Sequence, residues 1–131
     1  MILGKRSEHL MKHVVVFVGV LSVFALPALA DSVVDGGTLY VGRLKYRLCG
    51  IDAPERDEPG YREAANYLRK LVKGKSIKYT PVGQGTPCDG RSKPRNYDRI
   101  VAQCSVDGKD LASEMVKAGH AHDWPKFSGV Y

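Results

Sequence analysis

No stretch of this chain stays apolar long enough to cross a bilayer. The longest run, Val14 to Leu26, covers 13 residues and is broken by Gly19 and Ser22, against roughly 20 for a spanning helix. Cysteine is scarce: the three present, Cys49, Cys88 and Cys104, show no zinc-binding spacing, and their odd number leaves one thiol over in any disulfide scheme. Internal repeats and low-complexity tracts are absent as well, which excludes a stacked-repeat architecture.

What the N-terminus does carry is ordered. Lys5, Arg6 and Lys12 precede the apolar run, and Pro27-Ala28-Leu29-Ala30 follow it. That is the charged, apolar and small-residue sequence of a secretory signal, so cleavage is expected after Ala30 and export to the periplasm or medium follows. An uncleaved membrane anchor is the competing reading, and the short run and small flanking residues weigh against it. Met11-Lys12 would serve equally well as the start of such a signal.

The full chain has a net charge of +6, and residues 31–131 keep seventeen basic against thirteen acidic side chains, a net +4. A positive balance suits a polyanionic partner with no membrane contact, although solubility alone accounts for a balance this modest. A segment of this size holds one domain with a modest core, here expected as a monomer. Export permits a disulfide, and three pairings are open, as is a fully reduced chain. Cys88–Cys104 is favoured because its 16-residue interval gives a loop worth on the order of 3 kcal/mol. Cys49, in an alternating strand, would then be a buried free thiol.

Residues 32–34 form a short β run that ends at Asp35-Gly36-Gly37, and Thr38 to Val41 and Leu44 to Ile51 read as the next two strands. Pro54 cannot donate to a ladder, so the chain must leave the sheet there. Ala64, Tyr67 or Leu68, and Leu71 recur at helical spacing from Tyr61 onward, with Gly74 as the stop. Residues 76–80 return to alternation, 82–96 form a long polar loop, and Arg99 to Val106 is the last long strand. A second helix is expected between an Asp110 cap and Gly119, followed by an extended stretch near His120 to Trp124. The pattern predicts an α+β domain whose strands fit a five-stranded Greek-key β-barrel of OB-fold type with two helices.

Three segments carry candidate chemistry: Asp35-Gly36-Gly37-Thr38, then Arg47 ahead of Asp52-Ala53-Pro54-Glu55, and Tyr97-Asp98-Arg99. With Gly108-Lys109-Asp110-Leu111-Ala112 they resemble the staphylococcal thermonuclease family, and Asp123 to Ser128 is similar to its exported proteobacterial branch. The resemblance implies calcium-assisted hydrolysis of phosphodiester bonds in DNA or RNA. It implies Arg47 and Arg99 as catalytic cations, Glu55 as the group that orients or deprotonates the attacking water, and Tyr97 as a substrate contact. It also implies Asp52 and the Ala53 carbonyl as calcium ligands, with Asp35 in the outer shell.

The residue types suit that chemistry. Attack on phosphorus loads charge onto equatorial oxygens, which planar guanidinium groups meet with paired donors. A hard cation takes carboxylate and carbonyl oxygens, and an ionised acid beside the attacking water acts as base.

Two features depart from the resembled pattern. Gly37 stands where family members usually carry a second carboxylate ligand, which predicts weak metal affinity and reduced turnover. The family usually continues past the position of Tyr131 into a final helix, so its absence here is expected to expose apolar surface.

Simpler readings accompany each feature. Asp52 to Glu55 is an ordinary strand exit in many chains, and Arg99 is able to pair with Asp98 in solvent. His120-x-His122 has no third ligand at a recognisable spacing. Tyr97 and Trp124 are able to stack bases as a substrate contact, though Trp124 serves as readily for packing, and Arg91, Lys93 and Arg95 are able to track a phosphate backbone, with solvated loop charge as the default reading. Beside a nuclease, the chain is compatible with a nucleic-acid-binding barrel that has lost catalysis, or with a secreted protein-interaction module.

Overall fold

The computed structural model describes residue 4, residues 14–20, residue 22 and residues 31–131. The expected cleavage site after Ala30, and most of the signal-like segment, lie outside the described residues. Among the described residues no helix is long and apolar enough to cross a membrane.

Strands β1 (Ser32–Asp35), β2 (Thr38–Val41) and β3 (Leu44–Leu48) form an antiparallel meander. After β4 (Ile51–Asp52) comes helix α1 (Tyr61–Val72), then β5 (Lys78–Pro81), the short β6 (Arg95–Asn96) and the long β7 (Arg99–Val106). β8 (Lys109–Asp110), helix α2 (Leu111–Lys117) and β9 (His122–Asp123) complete the order. The main path runs β1-β2-β3-β7-β5, with β3 and β7 parallel and the other neighbours antiparallel. Taking the five main strands by chain order, that path is first-second-third-fifth-fourth, the crossing expected of an OB-type Greek key.

Alternation along the strands decides which side chains meet which face. Leu39, Tyr46, Leu48, Ala102, Cys104 and Val106 point into one core, which α1 closes with Ala64 and Leu68 and α2 with Leu111 and Met115. Each fully buried Leu or Met contributes about 1.5–3 kcal/mol relative to exposure. α1 buries Leu68 fully in the core and packs Tyr67 against its edge, and it is tied to β1 by the Tyr61 hydroxyl, which donates to the Val34 carbonyl at 3.2 Å. α2 is capped as its sequence predicts: the Asp110 carboxylate accepts the N–H of Ala112 at 2.9 Å.

The expected third strand breaks at Cys49-Gly50, because Gly50 adopts φ +79° and the Ser128 side chain occupies the space a Cβ there would need. The chain turns and resumes as β4, which pairs with β9 and brings Asp52 opposite His122. Residues 124–131 then fold back over this corner. The Phe127 ring meets Trp124 edge-on with centroids 4.6 Å apart, and Tyr131 packs on the core and donates its hydroxyl to Asp110 at 2.7 Å.

The disulfide expectation needs correction. Cys49 and Cys88 are bonded, and Cys104 is free and buried. Parity on β7 is the reason. Cys104 shares its face with Ala102 and Val106 inside the main core, whereas Cys49 and Cys88 gather with Val82 around Val101, which points the opposite way. The free thiol is pushed up to about 12 by burial and by the charge of Asp110.

Candidate active site

The face opposite the main core carries the polar residues of β2, β3 and β7. Thr38 and Arg47 are cross-strand partners, and Arg47 in turn pairs with Val101 of β7, so Arg99, two residues earlier, lies on the same face. The strand exit at Asp52 to Glu55 folds over the same edge. As a result Asp35, Arg47, Asp52, Ala53, Glu55, Tyr97 and Arg99 line a single cavity of about 240 Å³. Every site residue singled out in the sequence, apart from the cysteine pair, is therefore brought to one place.

The two arginines are held differently. Arg47 is half-buried, and its guanidinium donates to three backbone carbonyls: Nη2 to Ile51 at 2.8 Å, and Nη1 to Leu48 at 3.0 Å and Gly37 at 3.4 Å. Its pKa is lowered, first by burial and then by the charge of Arg99, against the opposing pull of Asp35, Asp52 and Glu55. An arginine retains its charge under such pressure, so the cavity keeps a fixed cation. Arg99 is steered by Nη1 donating to the Thr38 hydroxyl at 3.1 Å and Nη2 to the Asn96 amide oxygen at 3.0 Å. It forms no ion pair with Asp98, whose carboxylate meets Lys45 at 3.3 Å instead. Thr38 and Asn96 are the positioning groups that sequence reasoning missed; their only signal was adjacency to residues already singled out.

On the acidic side, the Asp35 carboxylate accepts the Gly37 N–H at 2.8 Å and closes the turn between β1 and β2. Asp52 and Glu55 are exposed. Among the described residues no group of three or more His, Cys, Asp or Glu side chains is placed to hold a metal ion. The oxygens of Asp35, Asp52 and Ala53 are nevertheless the hard donors a calcium ion takes, and they border the same cavity. They fit such an ion with few protein ligands and water completing its shell. His120 does not line this cavity; it borders a neighbouring one with Asp52 and Ala53, and its ring packs on Tyr67 with centroids 4.7 Å apart.

Tyr97 lies at the tip of the hairpin joining β6 and β7, with φ +57° and 93% of its surface exposed. A left-handed non-glycine residue presenting an aromatic ring to solvent is costly to hold, and the ring stands at the mouth of the cavity.

A second cavity, of about 380 Å³, opens next to the first and shares Arg47, Asn96 and Trp124 with it. The basic cluster whose default reading is solvated charge lines it, Arg91 and Lys93 from the loop and Arg95 from β6, together with Lys126 and Phe127. Arg91 donates to the Pro125 carbonyl at 2.8 Å and Ser92 to the Phe127 carbonyl at 3.1 Å, so the loop and the C-terminal segment form one lip.

The geometry agrees with the comparisons to known proteins. The model of the staphylococcal nuclease homologue family matches residues 45–128. A protein of Candida dubliniensis named "probable endonuclease" is 34% identical over 88 residues, covering 60% of this chain and 33% of that protein. One of Oryza sativa subsp. japonica named "probable staphylococcal-like nuclease" is 33% identical over 86 residues, covering 66% of this chain and 23% of its own length. This chain thus spans about a third or less of the relatives it matches. The matched region holds both site arginines, the strand exit with its two acids and the long β7 that aligns them, and the chain belongs to the staphylococcal nuclease homologue family.

Proposed function

We propose that this protein hydrolyses phosphodiester bonds in DNA or RNA. The observation that carries the reading is the convergence of Arg47, Arg99 and Glu55 on one cavity, beside a groove lined by Arg91, Lys93, Arg95 and Lys126. Arg47, caged by backbone carbonyls, would offer its remaining N–H edge to one phosphate oxygen. Arg99, steered by Thr38 and Asn96, would meet a second. Both meet charge that grows as the nucleophile approaches, so they stabilise the transition state more than bound substrate. Glu55, exposed at the cavity edge, would take the proton of the attacking water.

Calcium is part of the proposal. Asp52, Asp35 and the Ala53 carbonyl would hold it, and when bound it would polarise the phosphate as a Lewis acid. With Gly37 supplying no carboxylate, affinity for the ion would be low. A cleaved signal and export of the monomeric residues 31–131 belong to the same reading, supported by a disulfide that suits an oxidising compartment.

The competing reading is a barrel that binds nucleic acid without cutting it, favoured by the missing carboxylate at Gly37. Incubating the protein with single-stranded DNA in calcium or in chelator, beside Arg99→Lys, separates the two. Cleavage that requires calcium and falls about a hundredfold in the variant supports the enzyme. Binding without cleavage supports the second reading.

A further inference from the structure

The 82–94 loop that walls the basic groove is built as a unit and fastened to the barrel at one covalent point. Inside it, the Asp89 carboxylate accepts the N–H of Gly83 at 2.6 Å, the N–H of Gly85 at 2.8 Å and the Thr86 hydroxyl at 2.6 Å. Arg91 and Ser92 both donate their N–H groups to the Cys88 carbonyl. The segment bearing the cations thus starts at Cys88, which is bonded to Cys49 on the barrel. Cys49, Val82, Cys88 and Val101 form a small apolar cluster separate from the main core, and Cys49 itself lines the groove. The loop's ends run into β5 and β6, both paired with β7, and between them its further ties besides that cluster are single hydrogen bonds: Val82 to Val101, Val101 to Pro94, Arg91 to Pro125 and Ser92 to Phe127.

We infer that the Cys49–Cys88 crosslink is a positioning device for the nucleic-acid strand, holding Arg91 and Lys93 at the lip of the groove beside the catalytic cavity, next to Arg95, which the pairing of β6 with β7 holds on its own. The inference rests on the nuclease reading for its ligand but concerns residues outside the cavity. A dithiol reductant would convert the bond to two protein thiols, supplying two electrons and two protons and becoming a cyclic disulfide itself. Released at Cys88, the loop would sample positions away from the groove, and phosphate contacts would be lost. Arg47 would stay in place, because the carbonyls of Gly37, Leu48 and Ile51 hold it independently of the loop. Cys104 is buried inside the main core and takes no part in the exchange.

The test compares oxidised and dithiol-reduced wild-type protein on a fluorescent oligothymidylate. Reduction should raise KM about tenfold and leave kcat within about twofold, because the cations lost bind the strand and do not act on phosphorus. Binding measured from low to moderate salt should show a log–log slope shallower by about one to two, since each phosphate contact on a single strand contributes about 0.7. Equal KM and equal slopes in the two states would overturn the inference and leave the nuclease reading standing. An oxidised protein that neither binds nor cleaves would remove both. Should the reduced protein lose its fold by circular dichroism, the oxidised double variant R91Q/K93Q decides. A shallower slope in that variant supports the positioning role, and an unchanged slope overturns it.

Discussion

A Cβ added to Gly37 would lie 2.5 Å from Nη1 of Arg47, so the arginine occupies the space in which a side chain at position 37 would begin. The missing carboxylate and the caged guanidinium are two aspects of one arrangement. Because the obstructing atom is the tip of a flexible side chain, the fold accepts a larger residue while Arg47 moves. Gly37→Ala is predicted to lower kcat about tenfold with the calcium midpoint unchanged, since it displaces Arg47 and adds no ligand. Gly37→Asp should instead shift the calcium midpoint of activity about tenfold lower, through one more charged oxygen. Calcium titrations of activity for both variants check this, and identical midpoints would remove the missing ligand from the account.

Thr38 is buried, and its hydroxyl accepts from Arg99. Thr38→Val keeps the shape and removes the acceptor, leaving Arg99 to Asn96 alone. A lost hydrogen bond to a charged group is worth about 1.5–3 kcal/mol. The rate of phosphodiester cleavage, measured well below the unfolding temperature, is expected to fall by about ten- to a hundredfold, alongside a modest loss of thermal stability. A fall in unfolding temperature without a fall in rate would make Thr38 a packing residue only.

The carboxylate of Asp89 is held at about 2, below its ordinary value near 4, first by the Thr86 hydroxyl and then by the N–H groups of Gly83 and Gly85. A depressed pKa in the folded state means that the contribution to stability is complete above the unfolded value and is lost as pH falls toward the folded one. Stability is therefore expected to decline between pH of about 4 and about 2. Asp89→Asn should flatten that part of the pH profile in urea unfolding, and an unchanged slope would place the acid sensitivity elsewhere.

With Cys104 buried and its thiol held near 12, the folded protein should resist alkylation at neutral pH. In denaturant without reductant it should take up one alkyl group, and a peptide map should join Cys49 to Cys88. Reduction should cost about 3–4 kcal/mol of stability, as expected for an interval of 39 residues. Uptake at Cys49 or Cys88 before reduction would contradict the pairing.

Much of this molecule was legible in its sequence because local rules and tertiary context agree there. Alternation placed Tyr46 and Leu48 inside and Arg47 outside, and Asp110 announced its helix through a side chain made for capping. The site residues Asp35, Arg47, Asp52, Glu55 and Arg99 were legible as spaced motifs, although nothing in the spacing showed that strand pairing would join them. What escaped was long-range. The pairing of Cys49 with Cys88 depends on which face of β7 each neighbour meets, and the short interval from Cys88 to Cys104 pointed to the wrong partner. Arg91, Lys93 and Arg95 read as solvated charge because only the folded loop sets them across from Lys126 and Phe127. The break at Gly50 was hidden inside an alternating run, and the side chain packed against that glycine, Ser128, is far away in sequence.

The central claim is that Glu55 acts as base beside two arginines, and single-turnover cleavage of single-stranded DNA by wild type and Glu55→Gln tests it most directly. Wild type should cut, and the amide variant should bind with similar affinity while cutting at least about a hundredfold more slowly, since it cannot accept the proton. Equal rates for the two proteins, or a wild type that binds the strand and leaves it intact, would contradict the account.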